Sequence, residues 1–267
     1  MELPEGLLPL LDGDVLRYEL GYGAETGWRA ITEDAEAVPP FSYVEGLLLE
    51  RIETIKRNCH TDKDPVIYIT EGRTFRYDIA KRKPYKDQRK ETKPYHFNNL
   101  SVYLKHVLNC IVVTGIEADD QLVIDHVSSG GTTILCSRDK DLKQAPGWFH
   151  SWELGRQPSF GPELITNEGY ITISDNHKTI KGCGLAFFYS QVLTGDTVDN
   201  IPGLPNCGPV RAFELLNGKT PEEMLSAVVE AYQDSYPDTW EAELTEQGQL
   251  CWLLRKPDAL WQIGIVE

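Results

Sequence analysis

The chain has 267 residues, 41% of them hydrophobic, and a net charge of −15. That is enough apolar sequence to bury a substantial core, as one large domain or one domain with a helical appendage. No apolar run has the length of a membrane span, and no basic stretch followed by a cleavable apolar core opens the chain, so a cytoplasmic protein with no membrane partner is expected. The six cysteines are scattered without a CxxC pair, which reads as reduced packing residues and argues against a disulfide framework or a zinc site.

In chain order, the run 7–11 reads as a strand ending at Asp12 and Asp14 of LLDGD. An irregular stretch is expected across Gly21, Gly23, Gly27 and the Pro39–Pro40 break. A helix follows over 44–58, where Leu47, Leu48, Ile52 and Ile55 recur at helical spacing. A strand over 66–70 runs into Glu71. The next segment is broken by Pro84 and Pro94, so it is at most a short helix with flexible flanks. Residues 98–108 look helical and feed a strand over 111–113. Glu117, Asp119 and Asp120 of EADD then open a helix, whose amino-terminal dipole favours negative charge. TTILC at 132–136 is a third strand, followed by Asp139 and Asp141 of SRDKD. WFHSWE and GYITI supply later strands. From residue 185 the chain reads as helical: 185–193, then 210–216, then a helix with Thr220 as cap, Pro221 at its first position and Glu223 completing a capping box, and last 240–254.

The acidic clusters carry the chemistry. Taken singly, each is a turn or a helix N-cap. Together they follow apolar runs, two of which, 111–113 and 132–136, are short and β-branched as buried parallel strands are. Carboxylates just past the carboxyl ends of adjacent parallel strands converge on one crevice. So many like charges repel unless cations sit among them, and hard oxygen ligands suit Mg²⁺ or Mn²⁺. Asp14 would face away from Asp12 if the strand continued.

The segment GDTVDNIPGLPNCGPVRA at 195–212 joins Asp196 and Asp199 to a glycine-rich turn. Gly203 and Gly208 are expected to allow positive φ, Pro209 suits a first helical position, and Arg211 lies in the opening turn of the helix. Free N–H groups at such a start can hold phosphate, although glycine turns between helices also serve structure alone. The net negative charge argues against nucleic acid until its distribution is read. Residues 73–105 hold ten basic side chains against three acidic ones, a local balance of +7 that leaves −22 elsewhere. Phe75, Tyr77, Tyr85, Tyr95 and Phe97 are interleaved with them. Cations with aromatic faces suit a single strand, the alternative being a solvated helical face.

The ordered set LLDGD, EADD, SRDKDL and GDTVDNIPGLPNCGPVRA resembles the flap endonuclease and 5′-3′ exonuclease family, and the tail EQGQLCWLLRKPDALW is similar to that of phage gene-six-type exonucleases. The likeness covers nearly the whole chain, with one departure: where the family has an aspartate after its second core strand, this sequence has Glu71. The resemblance implies an α/β, PIN-like central sheet, mainly parallel and flanked by helices, over residues 1–180. It implies a basic arch at about 73–98 and a helix-three-turn-helix with further helices over 181–267.

It implies two-metal phosphodiester hydrolysis, with one Mg²⁺ (or Mn²⁺) held by some of Asp12, Glu71, Glu117 and Asp119, and a second near Asp120, Asp139, Asp141, Asp196 and Asp199, the two ions about 4 Å apart. By the same resemblance Lys86 reaches the scissile phosphate, assisted by Arg89 or Arg76, while Lys83, Tyr85, Lys90 and Lys93 contact DNA. Gly203, Gly208 and Arg211 would grip duplex, with K⁺ at the turn. The expected substrates are DNA with 5′ ends, flaps or nicks, and RNA–DNA hybrids, cut by a monomer of phage origin. Rival readings are a PIN-type ribonuclease and a catalytically impaired structure-specific DNA-binding protein; an EF-hand-like calcium protein is disfavoured because no D-x-D-x-D-G loop is present.

Overall fold

The computed structural model describes residues 2–87 and 92–265. Its elements in chain order are β1 (Leu8–Asp12), α1 (Gly13–Thr32), α2 (Phe41–Asn58), β2 (Val66–Thr74), α3 (Arg76–Ile79), α4 (Phe97–His106), β3 (Ile111–Gly115), α5 (Ala118–Ser128) and β4 (Thr133–Cys136). A 3₁₀ turn (Asp141–Gln144) leads to β5 (Gly147–Ser151), β6 (Phe160–Ile165), β7 (Tyr170–Ile173) and β8 (Ile180–Cys183). The chain then continues through α6 (Gly184–Thr194), α7 (Pro209–Leu216), α8 (Pro221–Ser235) and α9 (Trp240–Cys251). Two compact units result: one of residues 1–72, 91–139 and 148–164, the other of 73–90, 140–147 and 165–267.

In the first unit a six-stranded sheet has the order β3-β2-β1-β4-β5-β6, with β2, β1, β4 and β5 parallel. Side chains alternate across it. Leu11, Ile67, Ile69, Ile134 and Cys136 join one cluster with Leu16 and Leu20 of α1, Leu48 and Ile52 of α2, and Leu100 and Leu104 of α4. From the other face Tyr68 donates to Asp125 of α5 at 2.7 Å. Burying a leucine or isoleucine in such a cluster contributes about 2 kcal/mol.

Residues 13–32 are helical, not irregular as their glycines suggest. The Asp12 cap and the buried Leu16, Leu20 and Ala24 set the helix against the core, and packing outweighs the glycine cost of about 1 kcal/mol each. A side chain at Gly21 would run into Pro94, so the missing Cβ is used for close approach. The strand expected at 111–113 is an edge strand rather than a buried one, with Ile111 and Val112 exposed. Strands β6 and β8 were not expected.

The second unit is built around α6, every residue of which from Gly184 to Leu193 is buried. A helix apolar on all sides belongs at the centre of a bundle, and α7, α8, α9 and the antiparallel β7–β8 hairpin surround it. Thr220 and Glu223 form the expected capping box, with Pro221 at the first helical position.

Candidate functional site

In the first unit Asp12 is both the end of β1 and the N-cap of α1. One of its oxygens accepts from the Val15 amide at 3.0 Å and the other from the Ser137 hydroxyl at 2.6 Å. Gly13 permits this arrangement, because a Cβ there would lie 2.6 Å from the Tyr68 carbonyl oxygen on β2. Ser137, the first residue after β4, also accepts from the Asp139 amide at 2.8 Å. A single hydroxyl thus joins LLDGD to SRDKD across neighbouring parallel strands.

Asp12 is buried and its carboxyl is pushed up to about 7, first by burial and then by the charges of Asp14 and Asp139, against the hydrogen bonds from Ser137 and Val15. Asp119 is raised well above the carboxylate range by burial and by Asp12, Asp139, Glu117 and Asp14. These five carboxylates therefore share one electrostatic environment. Asp14 is in the first helical turn, where it accepts from the Thr70 amide at 3.0 Å and pairs with Arg17. The strand stops at Asp12, so the alternation that set Asp14 aside does not apply.

Two expected ligands have other work. Asp120, fully buried, accepts from the Glu117 amide at 3.1 Å, completing a capping box at the start of α5. Glu71 lies within β2 instead of at its end and pairs with Lys105 of α4.

In the second unit Asp196 accepts from Lys140 at 2.9 Å and from the Val198 amide at 2.8 Å. Burial would raise its pKa, but Lys140 and the amides of Val198 and Asp199 outweigh that and hold it below the ordinary range. Asp141 accepts from Gln191 of α6 at 2.6 Å. Asp199 accepts from Tyr85 at 2.9 Å, and its main-chain carbonyl accepts from the Lys86 amide at 3.0 Å. Lys86, at φ +55°, places its ammonium 3.9 Å from the Asp199 carboxylate. Asp141, Asp196, Asp199 and Lys86 thus belong to one neighbourhood.

The glycine-rich turn is held from three sides. Asp196 and Ile201 exchange main-chain hydrogen bonds at 3.0 and 2.7 Å. Gly203, at φ +65°, donates to Gln247 at 3.0 Å, and its carbonyl accepts from Arg82 at 3.0 Å. Arg82 also donates to Tyr236 at 2.7 Å and pairs with Glu243 at 3.1 Å. Neither Arg82 nor Gln247 was singled out in the sequence. Gly208 has φ −81° and open space around it, so the positive φ expected there is not needed. Arg211 is exposed in the first turn of α7.

Several residues of the basic segment are structural. Arg76, expected to assist at the phosphate, is 1% exposed and donates to the carbonyls of Leu250 and Trp252, the latter at 2.6 Å. Tyr85 is buried, so its ring is not offered to a base. Phe97 is covered by the Arg17 and Lys93 cations at 4.5 and 4.6 Å. Lys83 is exposed, while Arg89 and Lys90 lie outside the described residues.

Among the described residues, no three acids, histidines or cysteines converge closely enough to hold an ion directly. Oxygens of Asp12, Asp14, Asp120, Asp141, Asp196 and Asp199 are already engaged by amides, hydroxyls, guanidinium or ammonium groups. The donor set still fits a hydrated Mg²⁺, which keeps several waters and takes only one or two carboxylates directly. It does not fit an all-protein cage. The six cysteines are free thiols, and no described helix is long and apolar enough to cross a membrane.

No family model matches the sequence. The chain is 33% identical over 121 residues to flap endonuclease Xni of Shewanella halifaxensis, covering 44% of each chain. It is 25% identical over 190 residues to a 5′-3′ exonuclease of Mycoplasmopsis pulmonis, covering 64% of this chain and 56% of that one. The alignments span about half the length of these relatives. In fold the chain is similar to the bacteriophage T5 flap endonuclease in a complex with DNA and metal ions, with a TM-score of 0.53 and 15% identity, covering 91% of this chain and 98% of that one. The mainly parallel sheet flanked by helices matches the PIN-like fold of that enzyme, and over about half of their length the chain is similar in sequence to a flap endonuclease and a 5′-3′ exonuclease.

Proposed function

We propose that the protein is a divalent-metal-dependent 5′-3′ exonuclease and flap endonuclease hydrolysing phosphodiester bonds of DNA. The observation that carries this reading is the set of carboxylates around Asp12 and Asp119, whose pKa values are raised first by burial and then by one another's charge, a repulsion that a cation would relieve. Asp12, Asp119 and Asp139, with Glu117 nearby, would hold one ion; Asp141, Asp196 and Asp199 would hold the second. When bound, such ions turn a water into hydroxide and stabilise the leaving oxygen.

The chain's own residues do the rest. Ser137 keeps the Asp12 oxygens oriented. Lys86, fixed beside Asp199 by the main chain, offers a cation for charge developing on the phosphoryl oxygens. The first-turn amides of α7 and Arg211 hold the DNA backbone, so their contacts position the duplex without reading sequence.

The reading extends to DNA with 5′ ends, flaps or nicks, to RNA in RNA–DNA hybrids, to K⁺ at the Gly195–Gly208 turn, and to a monomer acting in a host cytoplasm for a phage. The division into a catalytic region over 1–180, its arch at 73–98 and a DNA-gripping region over 181–267 belongs to the same proposal.

The test is cleavage of labelled 5′-flap, nicked and blunt DNA, and of the RNA counterpart, in Mg²⁺ and in EDTA. Metal-dependent release of 5′ fragments from DNA, lost in Asp119→Asn and Asp141→Asn with DNA binding retained, is the expected result. Cleavage of RNA alone, or none, rejects it.

A further inference from the structure

We propose that Gln191 is a positioning residue for Asp141, and that Gln144 sets the direction in which Gln191 works. The inference rests on the reading of Asp141 as an ion ligand. Gln191 projects from the carboxyl-terminal half of α6, is 5% exposed, and donates its side-chain N–H to Asp141 at 2.6 Å. Its carbonyl oxygen accepts from the side-chain N–H of Gln144, also at 2.6 Å.

The polarity of this relay is forced. An ionised carboxylate only accepts, so Gln191 must turn its nitrogen toward Asp141. Its oxygen then needs a donor, and the Gln144 amide nitrogen supplies one. Asp141 and Gln144 are the first and last residues of the same 3₁₀ turn, so one turn grips both ends of a single amide. The bond from Gln191 restrains the orientation of the Asp141 carboxylate.

Stability alone does not account for the relay. Gln191 sits on a helix whose other buried residues include Phe187, Phe188, Val192 and Leu193. The relay ends at the Gln144 side-chain oxygen, which is buried without a hydrogen-bond partner among the described residues. Leaving such an acceptor unsatisfied costs about 1–3 kcal/mol, which an apolar pair would avoid. Groups that orient a metal ligand are worth about 10–100-fold in metal affinity, and that gain gives the amides a function.

Two variants test the relay. Gln191→Met keeps the volume and removes the donor. Gln144→Glu keeps the shape but replaces the donor with an acceptor, so Gln191 must turn its oxygen toward Asp141, although Gln144 itself is not bonded to Asp141. Mn²⁺ affinity is measured without DNA by electron paramagnetic resonance, and single-turnover cleavage is followed against metal concentration. Both variants are expected to weaken Mn²⁺ binding about tenfold. The half-saturating metal for cleavage should rise in step, and turnover should recover at saturating metal.

The loss in Gln144→Glu runs against the cation attraction its added charge would bring, so simple electrostatics cannot produce it. A purely structural role would lower the Tm and leave metal affinity within twofold of the parent protein, and that result overturns the relay. A parent protein that binds no Mn²⁺ instead removes the reading beneath it.

Discussion

The Ser137 hydroxyl donates to Asp12 at 2.6 Å while accepting from the Asp139 amide at 2.8 Å. It ties the ends of two parallel strands together through one atom. The bond favours the charged form of Asp12 and opposes the burial that raises its pKa. In Ser137→Ala, Asp12 keeps its proton to higher pH, and the acidic limb of the rate–pH profile should move upward. Because a hydrogen bond to a charged group contributes about 1.5–3 kcal/mol, cleavage is expected to fall roughly tenfold or more at neutral pH and to recover above it. An equal loss at every pH would show that Ser137 supports only the fold.

A second expectation concerns the metal-free protein. The folded Asp12 titrates at about 7 and Asp119 is raised in the same direction, whereas an unfolded aspartate ionises near its ordinary value of about 4. Between these values the folded state binds more protons than the unfolded state, so stability falls as pH rises through that window. Thermal unfolding in EDTA should show the Tm dropping from pH 5 to pH 7.5, with added Mg²⁺ restoring more of it at pH 7.5 than at pH 5. A Tm that climbs across this range in EDTA would contradict the shared burial of these carboxylates.

What the sequence made legible follows from local rules. The strand ending at Asp12, the capping box of α8 and the boundaries of α7 are set by neighbours in sequence, and the structure has them. Helix α1 was hidden because glycine argues locally for a break, while its reason for being there, close approach to Pro94, is long-range. Arg76 and Tyr85 looked like surface members of a basic, aromatic run; their burial depends on Leu250, Trp252 and Asp199, far along the chain. Ser137 carries no charge and no spacing signal beyond following a strand. The acidic clusters were visible, but which of them share an environment was not: Asp139 stands with Asp12 through Ser137, whereas Asp141 stands with Gln191.

Lys140, the fourth residue of SRDKD, offers a third test. Its ammonium lies 2.9 Å from Asp196 and 3.9 Å from Asp141, so a divalent ion approaching these carboxylates must compete with it. A partly exposed pair of this kind contributes about 1 kcal/mol or less. Lys140→Met is therefore expected to tighten metal binding by up to about fivefold at pH 8. The gain should shrink toward pH 5, where Asp196 without Lys140 takes up a proton more readily. Metal titrations at the two pH values check this, and weaker binding at pH 8 would assign Lys140 a supporting role in place of a competing one.

Glu71 separates the resemblance from the geometry most sharply. The family pattern places a metal-binding carboxylate after the second core strand, yet Glu71 points its charge to Lys105 of α4 from within β2. Its side chain is 44% exposed, so the pair contributes no more than about 1 kcal/mol to stability. Glu71→Gln keeps the shape and removes the charge. If the ion pair with Lys105 is its whole role, cleavage and half-saturating metal should stay within about twofold of the parent, with a Tm change of a few degrees at most. Asp119→Asn in the same assay should lose nearly all activity, since it removes charge from the buried cluster itself. A hundredfold loss in Glu71→Gln, reversed by raising the metal concentration, would return Glu71 to the ligand set and require Lys105 to release it when the ion binds.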